Sequence, residues 1–180
     1  MNVTRRLRPV PLAATALTGV TALYLALVVV GNITDFGTNR EFVRHVLAMD
    51  TTFKDEDLMW RAITSRPLQD AAYVAIICWE AVSALLLGLA TVRWARGLRG
   101  GPVESARTCS TWGLVMVLVL FGGGFIGVGG EWFAMWQSED WNGLDAATRS
   151  VVLAGVALLV VHLPLRDERT QDGPRGGEQG

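Results

Sequence analysis

The stretch LAATALTGVTALYLALVVVG, Leu12 to Gly31, decides the reading of this chain. It is twenty residues long and carries no charge. An α-helix rises about 1.5 Å per residue, so it matches a hydrocarbon core about 30 Å thick. Pro9 and Pro11 stand just before it, where a helix start tolerates proline. Arg5, Arg6 and Arg8 in front resemble the basic end of a secretory signal. The apolar run, however, exceeds the 7–15 residues of a signal core, and no small-x-small cleavage site stands out before Asn32. It is therefore expected to be a retained membrane span.

Working outward, three further apolar runs repeat the pattern: Ala71–Val92, Cys109–Gly130 and about Ala146 to Leu163. The whole chain is 51% hydrophobic and only 18% charged, where a soluble domain carries about 25%. The expected fold is all-α, a four-helix transmembrane bundle in up-down-up-down order. Residues 1–11 form an N-terminal segment and 12–163 the membrane domain. The Asp/Glu/Arg/Gly-rich residues 164–180 are expected to be a disordered tail.

Residues 32–70 and 131–145 are expected to make a partly helical cap on one side. Thr38 followed by Glu41 fits a capping box, with Phe42, Val43, Val46 and Leu47 on one helical face after it. Leu58, Met59, Ala62 and Ile63 suggest a second short amphipathic helix. Trp132, Phe133, Trp136 and Trp141 mark a segment at headgroup level.

Charge sets the expected orientation. Arg5, Arg6, Arg8, Arg93, Arg96, Arg99, Arg107, Arg166, Arg169 and Arg175 fall on one side, 10 of the 16 basic residues. By the positive-inside rule both termini are cytoplasmic and the cap faces outward. A net charge of −1, with no basic run interleaved with aromatics, argues against a nucleic-acid partner.

Few residues carry recognisable chemistry. Glu80 is a carboxyl group near the middle of the second run, which is costly in lipid and points to a bundle interior or a wet cavity. Counting residues inward from the span ends places Tyr24 at its depth, as a hydroxyl donor. The functional reading is a proton- or ligand-binding acid; the bland one is a polar staple between spans. Asn32, Asp35, Arg44, Asp50, Arg61, Glu131, Trp132, Trp136 and Trp141 gather at the cap side as a docking surface or a salt-bridged lid. Gly123 and Gly127 form a GxxxG extended by Gly130, the kind of face that lets membrane helices approach closely. His45 and His162 lie on opposite sides, which rules out a haem held by both within one chain. Neither His45 with Met49 nor Cys78 with Cys109 makes a metal-type set, and no metal or cofactor is expected. No nucleophile–base triad or phosphate-binding loop appears.

The stretches NITDFGTNREFVRHVLAMDTTF (Asn32–Phe53), LMWRAI (Leu58–Ile63), AAYVAIICWE (Ala71–Glu80) and GGEWFAMWQSEDWNG (Gly129–Gly143) carry a resemblance. Over roughly residues 12–163 the chain resembles a bacterial family of predicted small integral membrane proteins, domain of unknown function 2165. Phe36 stands where that family's pattern suggests tyrosine. The resemblance implies a four-span protein of the bacterial inner membrane and carries no activity and no catalytic residue. The expected function is a non-enzymatic partner-binding or accessory protein in the lipid bilayer, associated with a larger complex or with itself. The alternatives are a small proton-coupled transporter using Glu80, and an intramembrane enzyme on a lipid or quinone.

Overall fold

The computed structural model describes residues 8–164; the tail expected to be disordered lies outside them, as do Arg5 and Arg6. Four helical rods long and apolar enough to cross a membrane form the bundle. They are α1 (Pro9–Thr34), α3 (Arg66–Gly97), a third rod made of α4 (Glu104–Leu118) continuing into a π-helical segment (Val119–Trp132), and α5 (Leu144–Val161). Between α1 and α3 lies α2 (Phe36–Ala48). Among the described residues there is no strand. The chain folds as the all-α four-span bundle with a partly helical cap at one end.

The distribution of side chains is inverted relative to a water-soluble bundle. On α1 the buried positions are Ala14, Thr18, Thr21 and Leu25, spaced by three and four, while Val20, Leu23, Leu27 and Val30 point outward. The same holds for α5, which buries Ala147, Ser150, Ala154, Ala157 and Val161 and exposes Val152, Val156 and Leu159. Small and hydroxylated residues inside let backbones approach, and large aliphatic residues outside meet a solvent as apolar as themselves. Buried hydroxyls satisfy themselves on their own helix. Thr18 donates to the Ala14 carbonyl at 2.6 Å and Ser110 to that of Ala106 at 2.9 Å.

Both ends of the rods run past the apolar stretches. At 32 residues, α3 is about 48 Å long, well over the hydrocarbon thickness. Its extra turns, from Arg66, stand at the cap end and support α2. At the other, basic end α3 turns sharply into α4. Gly97 is needed there because a Cβ would lie 2.6 Å from the Val103 side chain, and Gly100 adopts φ 92°.

Three local expectations are corrected. The Thr38–Glu41 capping box does not form: α1 passes into α2 with only Asp35 between them, so the chain is already helical at Phe36. Glu41 pairs with Arg44 at 2.6 Å instead. The second amphipathic helix is a single 3-10 turn, Met59–Arg61. The Ile63 amide donates to the Leu47 carbonyl at 2.8 Å, which draws the chain out of helix. Its apolar residues still pack as a face, joining Met49, Phe133 and Ala134 in a separate cap core.

The third correction is the third span, which is not α-helical throughout. From Val119 onward the backbone bonds i to i+5, and the last turn closes with the Phe133 amide on the Val128 carbonyl at 3.0 Å. Six of these fourteen residues are glycine. Glycine disfavours the α-helix by about 1 kcal/mol relative to alanine and leaves the wider ring free of side-chain crowding. Such segments are usually a single turn and are frequent at functional sites.

Candidate functional site at the cap end of the bundle

Glu80 is 2% exposed and lies on the inward stripe of α3 with Tyr73, Ser83 and Leu87. Its partner is Asn32, whose Nδ2 donates to Oε2 at 2.7 Å. Tyr73 completes the group by donating its hydroxyl to the Asn32 carbonyl at 2.8 Å. Tyr24, the expected neighbour, is elsewhere: its hydroxyl lies 3.0 Å from Ser150 Oγ. Since Ser150 already donates to the Ala146 carbonyl, Tyr24 is the donor.

The depth count failed because the span ends are not level: Asn32, two residues before the end of α1, meets Glu80, fourteen residues into α3, so the first turns of α3 overhang α1 at the cap end. Glu80 is therefore level with the last turn of α1, toward the cap end, and not at mid-bundle. The helices are antiparallel, so Leu25 and Leu87 share the same core and Thr91 Oγ1 reaches Thr18 Oγ1 at 3.3 Å.

Above this pair the cap is tied down by ionic and aromatic contacts. Arg44 forks onto Asp70, Nε to Oδ1 at 3.0 Å and Nη2 to Oδ2 at 3.1 Å, pinning α2 to the first turns of α3. Desolvation pulls the Arg44 guanidinium down, but the Glu41 and Asp70 carboxylates outweigh it and hold it above its ordinary value. His45 Nδ1 meets Asp50 at 2.8 Å, and its ring stacks on Trp141 at 4.6 Å. Met49 is buried in the cap core with Phe133 and Ala134. Asp35 is exposed at the α1–α2 junction. Among the described residues no group of three or more His, Cys, Asp or Glu is placed to hold a metal.

The aromatic residues divide. Trp132 lies under Arg61, whose Cζ is 4.7 Å from the ring centroid; Trp60 meets Trp132 edge-on at 5.6 Å, and the guanidinium lies 5.6 Å from the Trp60 ring as well. Trp136 meets Phe53 edge-on at 5.9 Å. Glu131 is exposed beside Trp132. Phe53, Trp60, Asp70 and Tyr73 were not singled out from sequence. Only their pairing across the cap gives them a role, and no spacing announces it.

The glycines also divide. A Cβ on Gly130 would come within 2.9 Å of Leu144, so Gly130 sits against α5. Gly123 and Gly127 face outward; the first has no atom within 4 Å of a Cβ, and the second only its own helix. Leu120, Gly124, Val128 and Phe133 instead recur every four to five residues along an apolar cleft of about 170 Å³ roofed by Phe42 and Val46. A shallow depression lined by Gly127, Val128, Glu131 and Trp132 adjoins it. Neither is lined by Glu80.

Inverted packing, four apolar rods and an aromatic cap define a helical-bundle integral membrane protein. Residues 10–164 match the family model described as "Predicted small integral membrane protein (DUF2165)", and the chain belongs to that family. No curated protein and no solved structure matches it.

Proposed function

We propose that this small integral membrane protein is a non-enzymatic accessory protein of the bacterial inner membrane. Its termini are cytoplasmic, and its cap docks a partner on the outer side. The orientation follows from Arg93, Arg96, Arg99 and Arg107 at the end opposite the cap.

The docking reading is carried by one observation. Phe53 and Trp136 are 73% and 51% exposed at the crest of the cap, yet both are held in place. The Phe53 amide donates to Gln137 Oε1 at 2.9 Å, and Thr51 and Ser138 are hydrogen-bonded at 2.9 Å just behind them. Rigid exposed aromatics give up little conformational entropy on binding and are typical of interface anchors. A photo-crosslinking amino acid at position 53 is expected to capture one protein of constant mass in native membranes, and Trp136→Ala to abolish that capture. Capture no greater than from Leu85, which faces outward from α3, would refute the reading.

A second reading rests on the buried Glu80–Asn32 pair: a small proton-coupled carrier. It requires pH-dependent flux in proteoliposomes that Glu80→Gln removes. Unchanged flux in that variant would leave the pair as a staple.

A further inference from the structure

We propose that the cap-side leaflet contributes one bound aminophospholipid, of the phosphatidylethanolamine type. Its phosphate rests on Arg61, its ammonium faces Glu131, and one acyl chain enters the cleft beneath α2.

The cleft exists because α3 packs closely on α4 but barely touches the π-helical segment that follows. Where the two rods part, Ala72 and Ile76 face Leu120, Gly124 and Val128, and α2 closes the gap from above with Phe42. No side chain lining it is polar. At about 170 Å³ it is comparable to dry apolar cavities that take a benzene-sized group, enough for the end of a hydrocarbon chain. Ala72 and Ile76 belong to the apolar run of α3, so the cleft lies at hydrocarbon depth, and the 51% exposed Val128 marks its mouth. An acyl chain in that cleft would make dispersion contacts with its apolar lining.

The head of the site adjoins that mouth. Val128 also lines the shallow depression that holds Glu131 and Trp132. The Arg61 guanidinium packs against both the Trp60 and the Trp132 ring, which meet each other edge to face. Among the described residues its buried Nε has no hydrogen-bond partner and no carboxylate pairs with it. Glu131 likewise has no ion pair there. A fixed guanidinium matches a phosphate in fork geometry, and tryptophans place it at headgroup level. One uncompensated cation and one uncompensated anion flanking the same indole complement a zwitterion better than a purely anionic headgroup, which Glu131 would repel.

The test uses the full chain purified in mild detergent, exposed to equal phosphatidylethanolamine and phosphatidylglycerol, and read by native mass spectrometry. A single phosphatidylethanolamine adduct is expected. Arg61→Gln should reduce its retention about tenfold, the size of one charge-assisted contact. Glu131→Gln should shift preference toward phosphatidylglycerol. Ala72→Phe fills the cleft and should weaken retention of either lipid. Because Ala72→Phe can disturb folding, a phosphatidylethanolamine with a diazirine in its acyl chain gives a second readout. Its label should map to residues 119–132 in the unaltered protein. Adducts that mirror the lipid mixture and ignore Arg61→Gln, or label spread evenly over the outward faces of α1 and α5, would overturn the proposal.

Discussion

Replacing Asn32 by leucine removes the donor to Glu80 while keeping the side chain's approximate volume. The carboxyl group, 2% exposed, then has no hydrogen-bond donor in place of one at 2.7 Å. Leaving a buried polar group unsatisfied costs about 1–3 kcal/mol. The complementary change, Glu80→Met, orphans the Asn32 amide at similar cost. Replacing both partners by apolar groups of like shape is nearly neutral, so the double variant should regain most of what either single variant loses. Coupling across membrane helices averages about 0.6 kcal/mol and reaches about 1.7. The Asn32–Glu80 pair should fall in the upper half of that range, because it involves a carboxyl group with one donor. The assay is reversible unfolding in sodium dodecyl sulfate from mixed micelles, followed by helical circular dichroism. A parallel cycle of Tyr24→Phe with Glu80→Met should be additive within about 0.5 kcal/mol, since Tyr24 bonds Ser150. Additivity for Asn32 with coupling for Tyr24 would refute the placement of Glu80.

Other outcomes follow from the same packing. Gly113→Ala should cost about 1–3 kcal/mol by overpacking, because its Cβ would lie 2.7 Å from Leu87 Cγ; Gly123→Ala, with open space around it, should cost nothing in the same unfolding assay. Cys78, exposed on α3, should react with a lipid-soluble maleimide in the folded protein, and buried Cys109 only after unfolding. Arg44→Gln should release α2 from Asp70, seen as faster amide exchange over residues 36–48 with the four spans unchanged.

What was legible in the sequence was the part that lipid dictates. Twenty uncharged residues from Leu12 admit one structural solution at hydrocarbon depth, because every backbone group must be bonded internally. The apolar faces of the cap were legible too: Leu58, Met59, Ala62 and Ile63 pack as a set even though their backbone is not the expected helix. Two things were not. The π-helical ring of Val119–Trp132 differs from an α-helix only in hydrogen-bond offset, and a glycine run reports a permissive backbone without saying which ring it closes. Gly123 and Gly127 share the outward face, and residues four to five apart line the cleft. The depth of Glu80 was lost for a related reason. The span ends do not lie level, since α3 begins at Arg66 and overhangs the end of α1 to carry the cap.

Four crossings leave the cap and the α3–α4 turn at opposite ends of the bundle, and so on opposite faces of the bilayer. Substituted-cysteine labelling tests this directly. In a background lacking Cys78 and Cys109, single cysteines replace exposed Phe53 in the cap and exposed Ser105 near the turn. A membrane-impermeant maleimide added to intact spheroplasts should label position 53 and leave 105 unmodified until the membrane is opened. Labelling of both positions from the same side would contradict the fold's placement in the membrane.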